Sequence, residues 1–200
     1  MHSRNESSDQ RPSAGPSRPT WILALLLVAL VVGFVNVGVF IYGMTLPDKW
    51  SVRQSIVINA DASDIFPLLD DLRRWREWSS WSERNDPTLE FTYDGPDHGA
   101  GASFSWIGER LGSGTITIQK SEENRSISYA LELQGEPFSD AGQIRLRPLV
   151  GGTSVIWTDG GELEGTLGRL FRDRLETSVA ADLSRSLREL KTVVENQQHP

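Results

Sequence analysis

The chain has 200 residues, with 20 Lys and Arg against 27 Asp and Glu, a formal net charge of −7 and no cysteine. The acidic balance disfavours nucleic-acid binding, which draws on clustered Lys and Arg, and the missing cysteines exclude disulfide scaffolds and thiolate metal sites. His2 and His199 lie at the chain ends and leave His98 alone in the interior of the sequence, so neither a metal site nor a cofactor is expected.

Residues 1–20 are rich in Ser, Pro, Arg, Asn and Gln and have little to bury, which predicts a disordered tail. Between Arg18 and Asp48 lie 29 residues without a charge, and residues 21–44 are almost wholly Leu, Val, Ile, Ala, Phe and Gly. As a helix those 24 residues would reach roughly 36 Å, enough to cross a hydrocarbon core of about 30 Å. A cleaved signal peptide has a shorter apolar core and a small-residue cleavage site, which Ile41 to Thr45 does not offer. Trp21 and Tyr42 stand near the two ends, where amphipathic rings prefer the membrane interface. Asn36 is the one strongly polar residue between them and a candidate for pairing with a partner helix. Arg4, Arg11 and Arg18 on one flank outnumber Lys49 and Arg53 on the other, so the expected protein is single-pass, with a cytoplasmic N-terminus and the soluble domain outside.

Residues 48–200 have the length of one ordinary domain. Once Arg4, Arg11, Arg18, Glu6 and Asp9 are set aside they hold 17 basic and 25 acidic residues, a net of −8. Trp50 to Asn59 alternates Val52, Gln54, Ile56 and Ile58 against Ser51, Arg53, Ser55 and Val57, the period of a strand with one buried face. Asp61 to Asp64 supplies helix-start chemistry. Ile65, Phe66, Leu68, Leu69 and Leu72 then run at helical spacing into Trp75, Trp78 and Trp81, which predicts one or two short helices. Six strands follow, over 89–93, 102–107, 112–120, 126–133, 142–147 and 153–159, punctuated by Gly, Pro, Asp and Asn, with Pro148 closing the fifth. Such close spacing implies an antiparallel meander. Leu167, Leu170, Phe171, Leu175, Val179, Leu183, Leu187, Leu190 and Val194 recur every three or four residues, which predicts one long amphipathic helix covering the inner face of the sheet.

This order of elements resembles the polyketide cyclase/dehydrase and lipid-transport branch of the START/Bet v 1-like (SRPBCC) superfamily. The residues that carry the resemblance are Asp71 with Trp75, Trp78 and Trp81; Gly99 and Gly101 before Phe104 and Trp106; Gly112 and Gly114; Gly152 and Thr153 before Val155 and Trp157; and Leu187, Leu190 and Lys191. The resemblance implies an α+β helix-grip fold over about residues 50–195, in which a curved antiparallel sheet wraps a long C-terminal helix around a hydrophobic cavity. It also implies a lipid or another hydrophobic small molecule as partner, without implying a reaction.

Strand alternation points Phe104, Trp106, Tyr129, Leu131 and Trp157 inward, and Trp78 and Trp81 are expected near the cavity mouth. These seven are the candidate ligand-binding residues, set against the plainer reading that large aromatics simply fill a core. Catalytic residues are not identified. His98 has no obvious serine or carboxylate partner in sequence, Asp70 and Asp71 point apart on a helix, and Asp159, Glu162 and Glu164 read as a solvated loop. Gly99 and Gly101 lead into a strand rather than a helix, which excludes a nucleotide loop.

The leading expectation is a membrane-anchored domain binding an apolar molecule. The alternatives are a cyclase or dehydratase using Tyr129, Asp159 or Glu162 as acid or base in the same cavity, and a membrane-tethered protein-interaction module. Because Thr45 to Lys49 can span at most about 18 Å, the domain is expected to lie against the bilayer with its cavity mouth able to face it.

Overall fold

The structure, a computed structural model, describes residues 20–135 and 140–198. The N-terminal tail expected over residues 1–20 lies outside them, apart from Thr20, which opens the first helix. The chain divides after Tyr42 into two compact units. Helix α1, Thr20–Thr45, has 26 residues, about 39 Å at the usual rise, and is the one helix among the described residues long and apolar enough to cross a membrane. Within it the Asn36 side-chain amide donates to the Val32 carbonyl at 2.7 Å, so its polarity is met one turn back in its own helix.

The domain opens with β1 (Lys49–Ile58), α2 (Ala62–Asp70), a single 3-10 turn (Leu72–Arg74) and α3 (Trp75–Trp78). Asp61 occupies the N-cap of α2 in extended geometry but makes no side-chain capping bond. The other end of α2 is closed by tryptophan. The indole N–H groups of Trp75 and Trp78 donate to the carbonyls of Leu69 and Leu68 at 2.8 and 2.9 Å, satisfying acceptors that a helix C-terminus leaves open.

Six strands follow: β2 (Glu90–Asp94), β3 (Ser103–Gly108), β4 (Gly112–Glu122), β5 (Ser126–Leu133), β6 (Asp140–Leu149) and β7 (Gly152–Glu162). They form the predicted meander, and β1 pairs with the far side of β7. The result is a curved seven-stranded antiparallel sheet in the order β1-β7-β6-β5-β4-β3-β2, with a bulge in β4 between Ile118 and Lys120. Several strand limits shift from those predicted, and the two largest consequences fall on β6. Strand β6 begins at Asp140 rather than at residue 142, and it continues through Pro148, which stands opposite Thr153. Proline is tolerated there because β5 is paired with β6 only as far as Arg145. The Leu146 N–H points to the β5 side, donating to Arg125 at 2.7 Å, so the N–H that Pro148 lacks would point to the same side, past the end of β5.

The expected single C-terminal helix is two: α4 (Gly165–Leu170) and α5 (Arg172–Gln198), separated at Phe171 with φ −96° and ψ 3°. Gly165 and Gly168 weaken the first piece, since each glycine costs a helix about 1 kcal/mol relative to alanine. Leu167 and Phe171 are exposed rather than laid on the sheet. In α5 the stripe behaves as predicted from Leu183 onward, and Leu183, Leu187, Leu190 and Val194 are buried in the core.

Candidate ligand cavity

Trp75 is the hub of the core. Its ring centroid lies 5.3 Å from that of Trp78, 5.9 Å from Trp81, 5.4 Å from Tyr129 and 6.1 Å from Trp157. This cluster fills the central part of the space between sheet and helix. Beside it, toward the start of α5, a cavity of about 220 Å³ remains. Its walls are Trp106, Leu131, Leu133, Trp157 and Asp159 from the sheet, Leu111 from the turn before β4, Asp140 at the start of β6, Ser80 and Trp81 from the loop after α3, and Leu175, Val179, Asp182, Leu183 and Ser186 from α5.

Of the seven residues singled out in the sequence, Trp81, Trp106, Leu131 and Trp157 come together on this wall. Trp78 and Phe104 do not. Trp78 is fully buried against Trp75 and Trp157, and Phe104 packs among Trp75, Phe91, Tyr93 and Trp106. Tyr129 stands behind the wall, where its hydroxyl accepts from the Trp157 indole at 2.8 Å and donates toward Asp159 at 3.1 and 3.2 Å.

Asp159 is 3 % exposed, which corrects the reading of this acid as part of a solvated loop; Glu162 and Glu164 are exposed as expected. The correction follows from strand phase. Thr153, Val155, Trp157 and Asp159 alternate onto one face of β7, and Asp140, Gly142, Ile144 and Leu146 onto the same face of β6. Tyr129, Gly142 and Asp159 stand in one row across three strands. Gly142 leaves the gap through which Tyr129 reaches Asp159, since a Cβ there would fall 2.0 Å from Tyr129 Cζ and 2.5 Å from Asp159 Oδ1. Asp140 escaped notice because the predicted strand began two residues late. The alternation of Gly142, Ile144 and Leu146, extended backwards, would have found it.

Asp140 and Asp159 are hydrogen-bonded to each other through their carboxyl groups. Burial pushes both carboxyls above the usual range, and the charge of Asp159 raises Asp140 further. Hydrogen bonds from Asp140 and Tyr129 pull Asp159 back down. Burial and the closeness of like charge favour keeping a proton on the pair, where the hydrogen bond between the two carboxyls can hold it. Tyr129 is held well above the ordinary phenol value, chiefly by burial and then by Asp159, and stays a donor. Asp140 Oδ1 is buried and accepts from no donor among the described residues.

Two other acids show what a structural carboxyl looks like in this fold. Asp86, fully buried, accepts from Thr88 Oγ1 at 2.6 Å and from the backbone N–H groups of Thr88, Arg110 and Leu111. Those bonds, the one from the Thr88 hydroxyl foremost, hold its carboxyl well below the usual range, and they tie the β3–β4 turn to the loop before β2. Asp70 has partners that the sequence did not suggest, with His98 Nδ1 at 3.3 Å from one oxygen and the Ser121 hydroxyl donating to the other. Ser121 bonds the carboxylate rather than the imidazole, so the three do not form a nucleophile relay.

The family profile described as polyketide cyclase/dehydrase and lipid transport matches residues 49–195. No curated protein matches the chain. Among solved structures, the di-domain ARO/CYC StfQ from the steffimycin biosynthetic pathway superposes with a TM-score of 0.59 at 13% identity, over 76% of this chain and 52% of that one. Ara h 8.0201 gives 0.57 at 11% identity, over 74% and 99%. Protein CV1439 from Chromobacterium violaceum gives 0.54 at 16% identity, over 72% and 96%. At these identities the likeness is one of fold, a Bet v 1-like sheet around a C-terminal helix. With the profile covering nearly the whole domain, the chain belongs to the polyketide cyclase/dehydrase and lipid transport family of the SRPBCC superfamily.

Proposed function

We propose that this chain is a membrane-anchored binding protein whose domain takes a compact hydrophobic small molecule into the cavity walled by Trp81, Trp106, Leu131 and Trp157. The observation that carries the reading is the 220 Å³ space between sheet and helix, lined mainly by apolar and aromatic side chains. Ligand sites commonly span about 300–1,000 Å³, so this one is small. A cavity of about 150 Å³ accepts benzene, which gives room here for about nine non-hydrogen atoms. That size favours a single-ring molecule over an acyl chain or a fused polycycle. In this reading Trp78, Phe104 and Tyr129 support the wall rather than touch the ligand, and α1 holds the domain at a membrane.

The test uses the full-length chain in lipid nanodiscs, titrated with 2-phenylethanol and followed by tryptophan fluorescence and calorimetry. Saturable binding that Val179→Trp abolishes without lowering the melting temperature is the expected result. No saturable binding by 2-phenylethanol or by charged molecules of the same size would overturn the reading. For the anchor, the chain should stay in the membrane pellet after alkaline carbonate extraction, and its appearance in the supernatant would refute that part.

One observation favours a catalytic reading as the alternative. A buried carboxylic acid hydrogen-bonded to a buried carboxylate, both on a cavity wall, has the parts for proton transfer to and from a bound molecule. The separating measurement is turnover: conversion of a bound carbonyl or hydroxyl compound, abolished in Asp140→Asn, would establish it, whereas binding without conversion supports the binding protein.

A further inference from the structure

The cavity has an unusual balance of polar groups. Among the described residues its charged lining side chains are Asp140, Asp159 and Asp182, with no Lys, Arg or His. Asp182 is answered outside by Arg185, with Nη1 at 3.5 Å from Oδ1. Among the described residues Asp159 is met by the Tyr129 hydroxyl and the Asp140 carboxyl, with no cation beside it. A buried carboxylate with no cationic partner is an expensive arrangement. In addition, Asp140 is 9 % exposed and its Oδ1 accepts from nothing among the described residues. The one other polar pair on the wall, Ser80 and Ser186, has its hydroxyls 3.2 Å apart and bonded to each other. Among the described residues the site therefore presents buried carboxyl oxygens and indole faces, and what it lacks is a cationic donor. Three indoles, Trp81, Trp106 and Trp157, line the same space, and the faces of such rings attract cations.

From these groups we infer that the ligand is a compact apolar amine, bound as its ammonium ion at the Asp140–Asp159 end of the cavity with its hydrocarbon part against Trp81, Trp106 and Trp157. The inference rests on the small-molecule reading above and names its ligand class. An ammonium N–H would occupy the acceptor that Asp140 leaves open, and its charge would neutralise Asp159. A carboxylate ligand would face like charge, and an alcohol would fill the space and bond Asp140 while leaving the charge unanswered. The Asp140 proton can remain or leave to solvent on binding; no bond in the ligand is broken.

The experiment compares three molecules of nearly equal size on the full-length chain in zwitterionic nanodiscs: 2-phenylethylamine, 2-phenylethanol and phenylacetate. At about pH 7 the ammonium should bind at least about tenfold more tightly than the alcohol, and phenylacetate should not saturate. In Asp140→Asn/Asp159→Asn the preference for the ammonium over the alcohol should fall to about unity. Equal or tighter binding of the alcohol by the wild-type chain would overturn the amine inference and leave the small-molecule reading standing. Absence of binding by all three would overturn both. The wild-type comparison is decisive by itself, so the test survives a double variant that fails to fold.

Discussion

The two halves of α5 carry the same apolar stripe and meet different fates. From Leu183 to Val194 the stripe is buried against the sheet and the Trp75 cluster, whereas Leu175 and Val179 are only half-buried and face the cavity. The difference comes from what stands opposite. At the Leu190 end Leu187, Leu190 and Val194 are buried within the hydrophobic core. At the Val179 end Asp140 and Asp159 replace apolar residues on the facing strands, and buried carboxyls resist being covered by hydrocarbon. Close packing is concentrated in one half, and the cavity lies beside the other.

The largest expected effect tests the closed half. Leu190→Ala, at a fully buried position, should cost about 2–5 kcal/mol in denaturant unfolding. A cost below about 1 kcal/mol would mean that the closed half is loosely packed. Next comes the boundary between the halves. Gly142→Ala drives a methyl into the row between Tyr129 and Asp159 and should cost about 1–3 kcal/mol. Loss of the Tyr129–Asp159 hydrogen bond should appear as a shift in tyrosine absorbance, and an unshifted spectrum would refute that bond's dependence on glycine.

A smaller effect reads the carboxyl pair through pH. Burial raises the folded-state pKa of both acids above the unfolded value, so the folded state binds protons more tightly. The pair's contribution to stability is then fully present below the unfolded value, near 3.9, and declines as pH rises from there through the folded-state values. Asp140→Asn should flatten that decline and stabilise the domain near neutrality by at least about 1 kcal/mol. A variant with an unchanged pH profile would argue that Asp140 titrates normally. The smallest expected effect belongs to the open half. Val179→Ala removes half-buried methyl groups beside a void and should cost at most about 1 kcal/mol, and a loss as large as that of Leu190→Ala would erase the contrast between the halves.

Local pattern alone located most of the architecture. The apolar run of α1, the alternation of β1 and of the meander strands, and the stripe of α5 are periodic signals that burial imposes on sequence directly. The same alternation turned Trp106, Leu131 and Trp157 inward. It did not separate residues on the cavity wall from those in solid core, because Phe104 and Trp106 occupy the same strand face and only the neighbours brought by α3 and α5 distinguish them. The break at Phe171 was hidden for a related reason: apolar spacing continues unbroken across it, while two glycines and exposure decide where the helix bends.

By itself, then, the sequence determined which segments are strands and helices, which face of each is apolar, and that one helix is long and apolar enough to span a membrane, because each is written in residues close together along the chain. Tertiary structure alone decided that Asp140 and Asp159, 19 positions apart in the numbering, are buried together on one cavity wall with Tyr129 donating to Asp159. That outcome depends on the register of three antiparallel strands and on the absence of a side chain at Gly142. Register is a long-range property: a slip of one residue would have turned Asp159 to the opposite face of the sheet.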